Sequence, residues 1–177
     1  MSLKEELHLR RPFSSIQEEA LLSVFTTWDL LYRNIQKVMR RHGISLAQYN
    51  VLRILRGAGP EGIPLMEIAR RVIVRYPNVT RLTDRLEADG LMRRERCTKD
   101  RRVVRALATP AGIDLLAKLD GEVGMLNIHL MRGADESDLH RMIEILASVR
   151  QPLRAGERTD VPNGNGHSAS NGGDPEV

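Results

Sequence analysis

Residues 64–112 read PLMEIARRVIVRYPNVTRLTDRLEADGLMRRERCTKDRRVVRALATPAG. Pro64 suits the first turn of a short helix through Ile68 and Val72, because the amide it lacks has no partner there anyway. Ile73-Val74-Arg75 reads as the connection to a second helix that Pro77 opens and Gly90 closes. Two β-prone runs follow, Leu91–Cys97 and Val103–Ala108, around the basic turn Thr98-Lys99-Asp100-Arg101. Helix, tight turn, helix and basic hairpin form a winged helix-turn-helix pattern, a shape that fills one DNA groove and touches the next.

The second helix carries its chemistry on one side. At 100° per residue over 77–89, Val79, Leu82, Thr83 and Leu86 share the face that packs inward. Pro77, Arg81 and Asp84 point the other way, with Asn78, Thr80 and Arg85 on the shoulders. Arginine matches guanine O6/N7 and asparagine matches adenine N6/N7 by bidentate geometry, so Asn78, Thr80 and Arg81 are the candidate base readers. Arg75, Tyr76 and Arg85 are candidate DNA contacts beside them, Arg75 and Tyr76 being placed for phosphates. Lys99, Arg101 and Arg102 put cations at the tip of a narrow projection, as minor-groove or phosphate contact requires. A carboxylate facing DNA is repelled, so Asp100 is expected to pair with a neighbouring arginine and orient it.

Charge is local in this chain. Residues 81–105 hold nine Lys/Arg against five Asp/Glu, a surplus of +4 that equals the net charge of all 177 residues. That is the footprint of a polyanion partner rather than of a uniformly basic protein. Hydrophobic residues at 41 % suffice for a packed core, but aromatics at 3 % leave Leu, Ile, Val, Ala and Met to build it. Cys97 is the one cysteine, which excludes an intrachain disulfide and fits a cytoplasmic setting. Its neighbours Arg94, Arg96 and Lys99 could lower its pKa, yet an incidental wing thiol is the simpler reading. His8, His42, His129, His140 and His167 are scattered without metal-ligand spacing, and no GxSxG, phosphate loop or HExxH occurs. No cofactor, metal site or catalytic function is therefore expected.

The flanks are helical. Residues 1–13 are polar and read as a flexible arm. Ser15-x-x-Glu18 is a capping box for a long helix ending near His42-Gly43, with Leu21, Phe25, Trp28, Tyr32, Ile35 and Met39 in a heptad-like seam. Ser45-x-x-Gln48 opens another helix that carries Tyr49, Leu52 and Leu55 and stops at Gly57. Thr109-Pro110 starts a helix with Leu115, Leu116, Leu119, Val123, Leu126 and Leu130 on one side. Asp135 caps the last, which bears Leu139, Met142, Ile143, Leu146 and Val149. Residues 155–177 are rich in Gly and Asn, lack aromatics and read as a disordered tail. The expected organisation is mainly α with a small hairpin wing: one domain over 14–154, a DNA module at 45–108, and dimerisation helices at 14–42 and 110–150. One chain would leave the seam exposed, so a homodimer is the economical answer. Trp28, Tyr32 and Tyr49 could line an aromatic ligand pocket, although filling core and seam is the plainer role.

The run NVTRLTDRLEADGLMRRE, then KDRRVV, then Thr109 and Gly112, resembles the multiple antibiotic resistance regulator (MarR) family. Upstream, GISLAQYNVLRIL is similar to that family's second-helix pattern, and the resemblance spans about Ser15 to Arg150. It implies a dimeric winged-helix transcription regulator on a pseudo-palindromic operator; no membrane partner is expected, because no stretch of the sequence approaches a membrane-spanning length. It also implies repression relieved by a small phenolic or lipophilic compound between the dimer helices and the DNA module. One wing arginine, Arg101 or Arg102, would enter the minor groove while Asp100 holds its neighbour. Two positions depart from the pattern: Ala108 stands where the family has Leu, and Thr83 replaces an aliphatic residue. A winged-helix protein-interaction module, an activator and a ligand-independent architectural DNA binder remain as alternatives.

The two classes of contact are separable by titration. Arg81→Ala should cost about 1–3 kcal/mol on the preferred DNA and relax its sequence preference, read by fluorescence anisotropy against scrambled duplex. Lys99→Ala should weaken both duplexes alike and flatten the salt slope by about one unit. Equal weakening by Arg81→Ala, or an unchanged slope for Lys99→Ala, would overturn the respective assignment.

Overall fold

The structure, a computed structural model, describes residues 2–72, 79–97, 100 and 102–154. It divides into two compact units, one ending at Met131 and one starting at Arg132. The first holds α1 (Leu3–Glu6), α2 (Ile16–Arg41), α3 (Leu46–Ala58), β1 (Ile63–Pro64), α4 (Leu65–Arg71), α5 (Val79–Ala88), β2 (Met92–Arg96), β3 (Val104–Ala108) and α6 (Pro110–Leu130). The second contains α7 (Glu136–Arg154). The fold is mainly helical with one antiparallel sheet in the order β1-β3-β2.

Helix starts follow their caps. Ser45 and Gln48 form the expected reciprocal box, the Gln48 amide donating to Ser45 Oγ at 3.2 Å and the Ser45 amide to Gln48 Oε1 at 2.9 Å. Gln36 of α2 adds a third contact by accepting the Leu46 amide at 3.0 Å. Ser15 Oγ accepts the Glu18 amide at 3.2 Å, but the Glu18 carboxylate takes the amide and hydroxyl of Ser14 instead, both at 2.6 Å. Those two bonds hold the Glu18 carboxyl below its ordinary range. The Asp138 amide donates to Asp135 Oδ1 at 2.8 Å, which starts α7.

Three details go beyond the sequence reading. Within residues 1–13, Ser2 and Glu5 form a capping box that supports the single turn α1. Helix α3 passes Gly57 and ends at Gly59, whose φ of 69° suits glycine. The β2–β3 hairpin of the wing gains a third strand, because Ile63 and Pro64 pair with Ala106 and Arg105. Two residues carry no periodicity, and proline is tolerated there because β1 is an edge strand. Gly62 precedes it at φ 62°, where a Cβ would lie 2.7 Å from the Ala106 carbonyl oxygen.

The core of the first unit is one cluster. Met39 of α2, Leu52 and Leu55 of α3, Ile68 of α4, Leu86 of α5, Met92 of β2, and Leu116 and Leu119 of α6 are all fully buried. Burying each such side chain contributes about 1.5–3 kcal/mol. The ion pairs around it are exposed and are worth about 0–1 kcal/mol each, so packing rather than charge holds the elements together. Arg56 of α3 still grips Asp120 of α6 at 2.7 and 3.1 Å, and its guanidinium holds the Asp120 carboxyl below the usual range. Glu122 of α6 receives Arg41 at 3.2 Å and His42 at 2.9 Å.

One junction joins α5, the wing and α6. Thr109 Oγ1 donates to the Gly90 carbonyl at 2.7 Å, and its amide donates to the Leu91 carbonyl at 3.1 Å. The same hydroxyl accepts the Gly112 amide at 3.1 Å, capping α6. A Cβ on Gly112 would stand 2.2 Å from the Leu91 carbonyl oxygen, so a hydrogen is required there. Gly112→Ala should therefore destabilise by about 1–3 kcal/mol, and Tm should fall roughly 2–10 °C. Gly57→Ala is the control, since a Cβ there meets nothing within 4 Å; it should be neutral or stabilise by about 0.5–1 kcal/mol in a thermal melt. Equal melting temperatures for Gly112→Ala and the wild type would refute the close approach.

Candidate nucleic-acid interface

Helix α5 lies across the sheet edge with Thr83 and Leu86 buried and Val79 and Leu82 partly buried. Thr80, Arg81, Asp84 and Arg85 are exposed, as the helical periodicity predicts. Arg85 is tethered along the helix, its Nε 3.2 Å from Asp89 Oδ2. Pro77 and Asn78 lie outside the described residues, as do Arg75 and Tyr76.

Beyond α5 the wing is formed by β2 and β3 in continuous antiparallel register, from Met92 opposite Ala108 to Arg96 opposite Val104. Its tip is held by main-chain bonds: the Cys97 amide donates to the Val103 carbonyl at 2.9 Å, and the Val103 amide to the Asp100 carbonyl at 3.0 Å. Asp100 Oδ1 accepts the Arg102 amide at 2.9 Å, an Asx turn that fixes the chain at the tip. The contact described for Asp100 is with the backbone of Arg102. Arg102 is exposed; Lys99 and Arg101 lie outside the described residues. Arg93 pairs with Glu95 along β2.

Sequence reasoning passed over Arg94. From β2 it reaches back to α5, with Nη2 2.5 Å from Asp84 Oδ1 and Nη1 3.0 Å from Glu87 Oε2. An arginine shortly after a helix-ending glycine, with carboxylates one helical turn apart before it, was the available signal.

On the side of α5 that carries the exposed Arg81, Asp84 and Arg85 lies an open groove of about 900 Å³. Gln36 and Arg40 of α2, Ser45 and Gln48 at the start of α3, and Arg81 and Arg85 of α5 line it. The tyrosines and tryptophan proposed from sequence stand elsewhere. Tyr49 is buried in the core, with the Arg53 guanidinium 5.8 Å from its ring centroid. Trp28 and Tyr32 stack at 5.1 Å and 21° on α2, and Trp28 is 51 % exposed. Leu21 and Phe25 beside it are also more than half exposed, while Met39 at the other end of the seam is fully buried. The seam therefore runs from an uncovered apolar face into the core. Helix α7 has its own exposed apolar residues, Ile143, Ile145, Val149 and Leu153. Among the described residues no helix is long and apolar enough to cross a membrane.

Comparison with known proteins places this geometry. Residues 44–104 match the MarR family model. The HTH-type transcriptional repressor MdtR of Bacillus subtilis is 31 % identical over 162 residues, covering 91 % of this chain and 93 % of its own length. The HTH-type transcriptional regulator TtmR of Methylorubrum extorquens is 30 % identical over 85 % of this chain and 76 % of its own. A MarR transcription factor from Planctomyces limnophilus, solved by crystallography, is 34 % identical with TM-score 0.60, covering 77 % of this chain and 98 % of that one. An E. coli MarR mutant crystallised with operator DNA shares the fold at TM-score 0.67 and 22 % identity, over 84 % of this chain and 99 % of that one.

Proposed function

The chain belongs to the MarR family of DNA-binding transcription regulators, and from that premise we propose that it is a homodimeric repressor released from a pseudo-palindromic operator by a small ligand. It is a regulator and not an enzyme. The reading of DNA is assigned to Asn78, Thr80 and Arg81 in the major groove, with Arg75, Tyr76 and Arg85 at or near the backbone. Lys99, Arg101 and Arg102 of the wing reach the neighbouring minor groove, with Asp100 setting the tip.

The observation that carries the ligand is the groove itself, because Arg81 and Arg85 belong both to its wall and to the DNA-facing helix. A molecule seated there touches the same side chains of α5 that are assigned to DNA. Three arginines line the groove against one carboxylate, Asp84, which Arg94 already engages. An anionic ligand with an apolar body suits that lining. A solved neighbour of the same fold, BpsR of Bordetella bronchiseptica, is described as having its DNA binding regulated by 6-hydroxynicotinic acid. Coupling between ligand and DNA sites of about 1–3 kcal/mol would lower operator affinity 5–150-fold.

The uncovered apolar face of α2 supports the dimer. Leu21, Val24, Phe25, Trp28 and Leu30 are each close to half exposed or more, which a soluble monomer would not keep. Residues 14–42 and 110–150 supply the dimer contacts in this reading, 45–108 the DNA module, and the cytoplasm is the place of action.

Selection of binding sites from a random duplex library by the full chain tests the proposal, followed by native mass measurement of the complex. Enrichment of an inverted repeat bound by two chains supports it, as does release by 6-hydroxynicotinate or a related hydroxyaryl acid. Sequence-indifferent binding would favour an architectural role. Absence of DNA binding at low salt would favour the protein-interaction reading.

A further inference from the structure

Thr83 sits on the buried side of α5 where the family resemblance calls for an aliphatic residue, and it has no exposed surface. Its hydroxyl is fully used: it donates to the Thr80 carbonyl at 2.8 Å and accepts from Arg94 Nη2 at 2.8 Å. The same Nη2 lies 2.5 Å from Asp84 Oδ1. Glu87 is held twice, Oε2 by Arg94 Nη1 at 3.0 Å and Oε1 by the Arg94 amide at 3.1 Å. The Arg94 side chain is only 26 % exposed, and its buried Nε has no acceptor among the described residues. Its guanidinium is committed to α5 and not turned outward.

We propose that Thr83 and Arg94 form a positioning lock that fixes the roll of α5 against the wing and thereby sets discrimination between operator and other DNA. The sheet register fixes β2 against β3, but nothing in that register sets the rotation of α5 about its own axis. Arg94 does so by gripping positions 83, 84 and 87, which span one turn of the helix. Base readout needs side chains held within about 0.5 Å and 10–20° of the productive geometry, whereas phosphate attraction tolerates misalignment. An aliphatic residue at 83 would fill the same space yet leave Arg94 one acceptor short. Arg94 also offsets Asp84 and Glu87, two carboxylates on the helix that approaches phosphates.

The lock rests on α5 being the reading helix, which the wild-type chain and Arg81→Ala test separately. Thr83→Val keeps shape and charge but removes the hydroxyl. Arg94→Lys keeps charge but cannot reach all three acceptors in a planar fork. Both variants, and the double variant, are titrated as full-length protein on a duplex selected from a random library and on its scrambled counterpart, at several salt concentrations. The expected result is a loss of about five- to twentyfold in the preference for the selected duplex, with scrambled binding little changed. The salt slope stays the same, because net charge does, and the double variant is little worse than Arg94→Lys. A preference within twofold of wild type in both single variants overturns the lock, even if their melting temperatures fall. So does parallel loss on both duplexes, which would make Arg94 a sequence-independent contact to the DNA backbone. If Arg94→Lys does not fold, Thr83→Val alone decides the outcome.

Discussion

The close approach of Gly112 to the Leu91 carbonyl is the constraint from which the arrangement follows. At that point the reading helix ends, the wing leaves and returns, and α6 begins. Thr109 bonds to Gly90, Leu91 and Gly112 together, so the three elements share one anchor. Any change in the direction of α6 must then be felt by the hairpin and by the C-terminal end of α5. Few other contacts in the first unit have that reach, because the ion pairs between α3 and α6 are exposed and weak.

That anchor gives physical content to the proposed ligand control. The groove opens between α2, α3 and α5, and Arg81, Asp84 and Arg85 on the exposed face of α5 belong to its wall. Asp84 is held on its other side by Arg94 of the wing. Groove, reading helix and wing are therefore linked through consecutive polar contacts rather than through bulk displacement. The proposed dimer would add a second copy to this scheme through the apolar face of α2, since two recognition helices can match adjacent grooves only if their separation is fixed.

Local chemistry made most of the fold legible in the sequence. Ser45-x-x-Gln48, Thr109-Pro110 and Asp135 name helix starts because orphan amides need acceptors at those points. The alternation in α5 separated Thr83 and Leu86 from Arg81 and Asp84, since a helix has one inward face. What escaped was non-local. Strand β1 is two residues that become a strand only because β3 arrives beside them. Arg94 was visible as a charge, but its partners depended on how α5 and β2 meet. Tyr49 follows the plainer of its two readings: it is buried in the core and does not line the groove. The short α1 carried the same Ser-x-x-Glu signal as α2, masked by a polar neighbourhood.

Hydroxyl-radical footprinting of the full chain on its selected duplex tests the central claim most directly, because the radical attacks sugars from the minor groove. Helix and wing acting together predict minor-groove protection flanking each half-site, with the two half-sites about one helical turn apart or a multiple of it. Protection that lacks the flanking minor-groove segments would contradict a wing that touches DNA, and with it the winged-helix account of this surface.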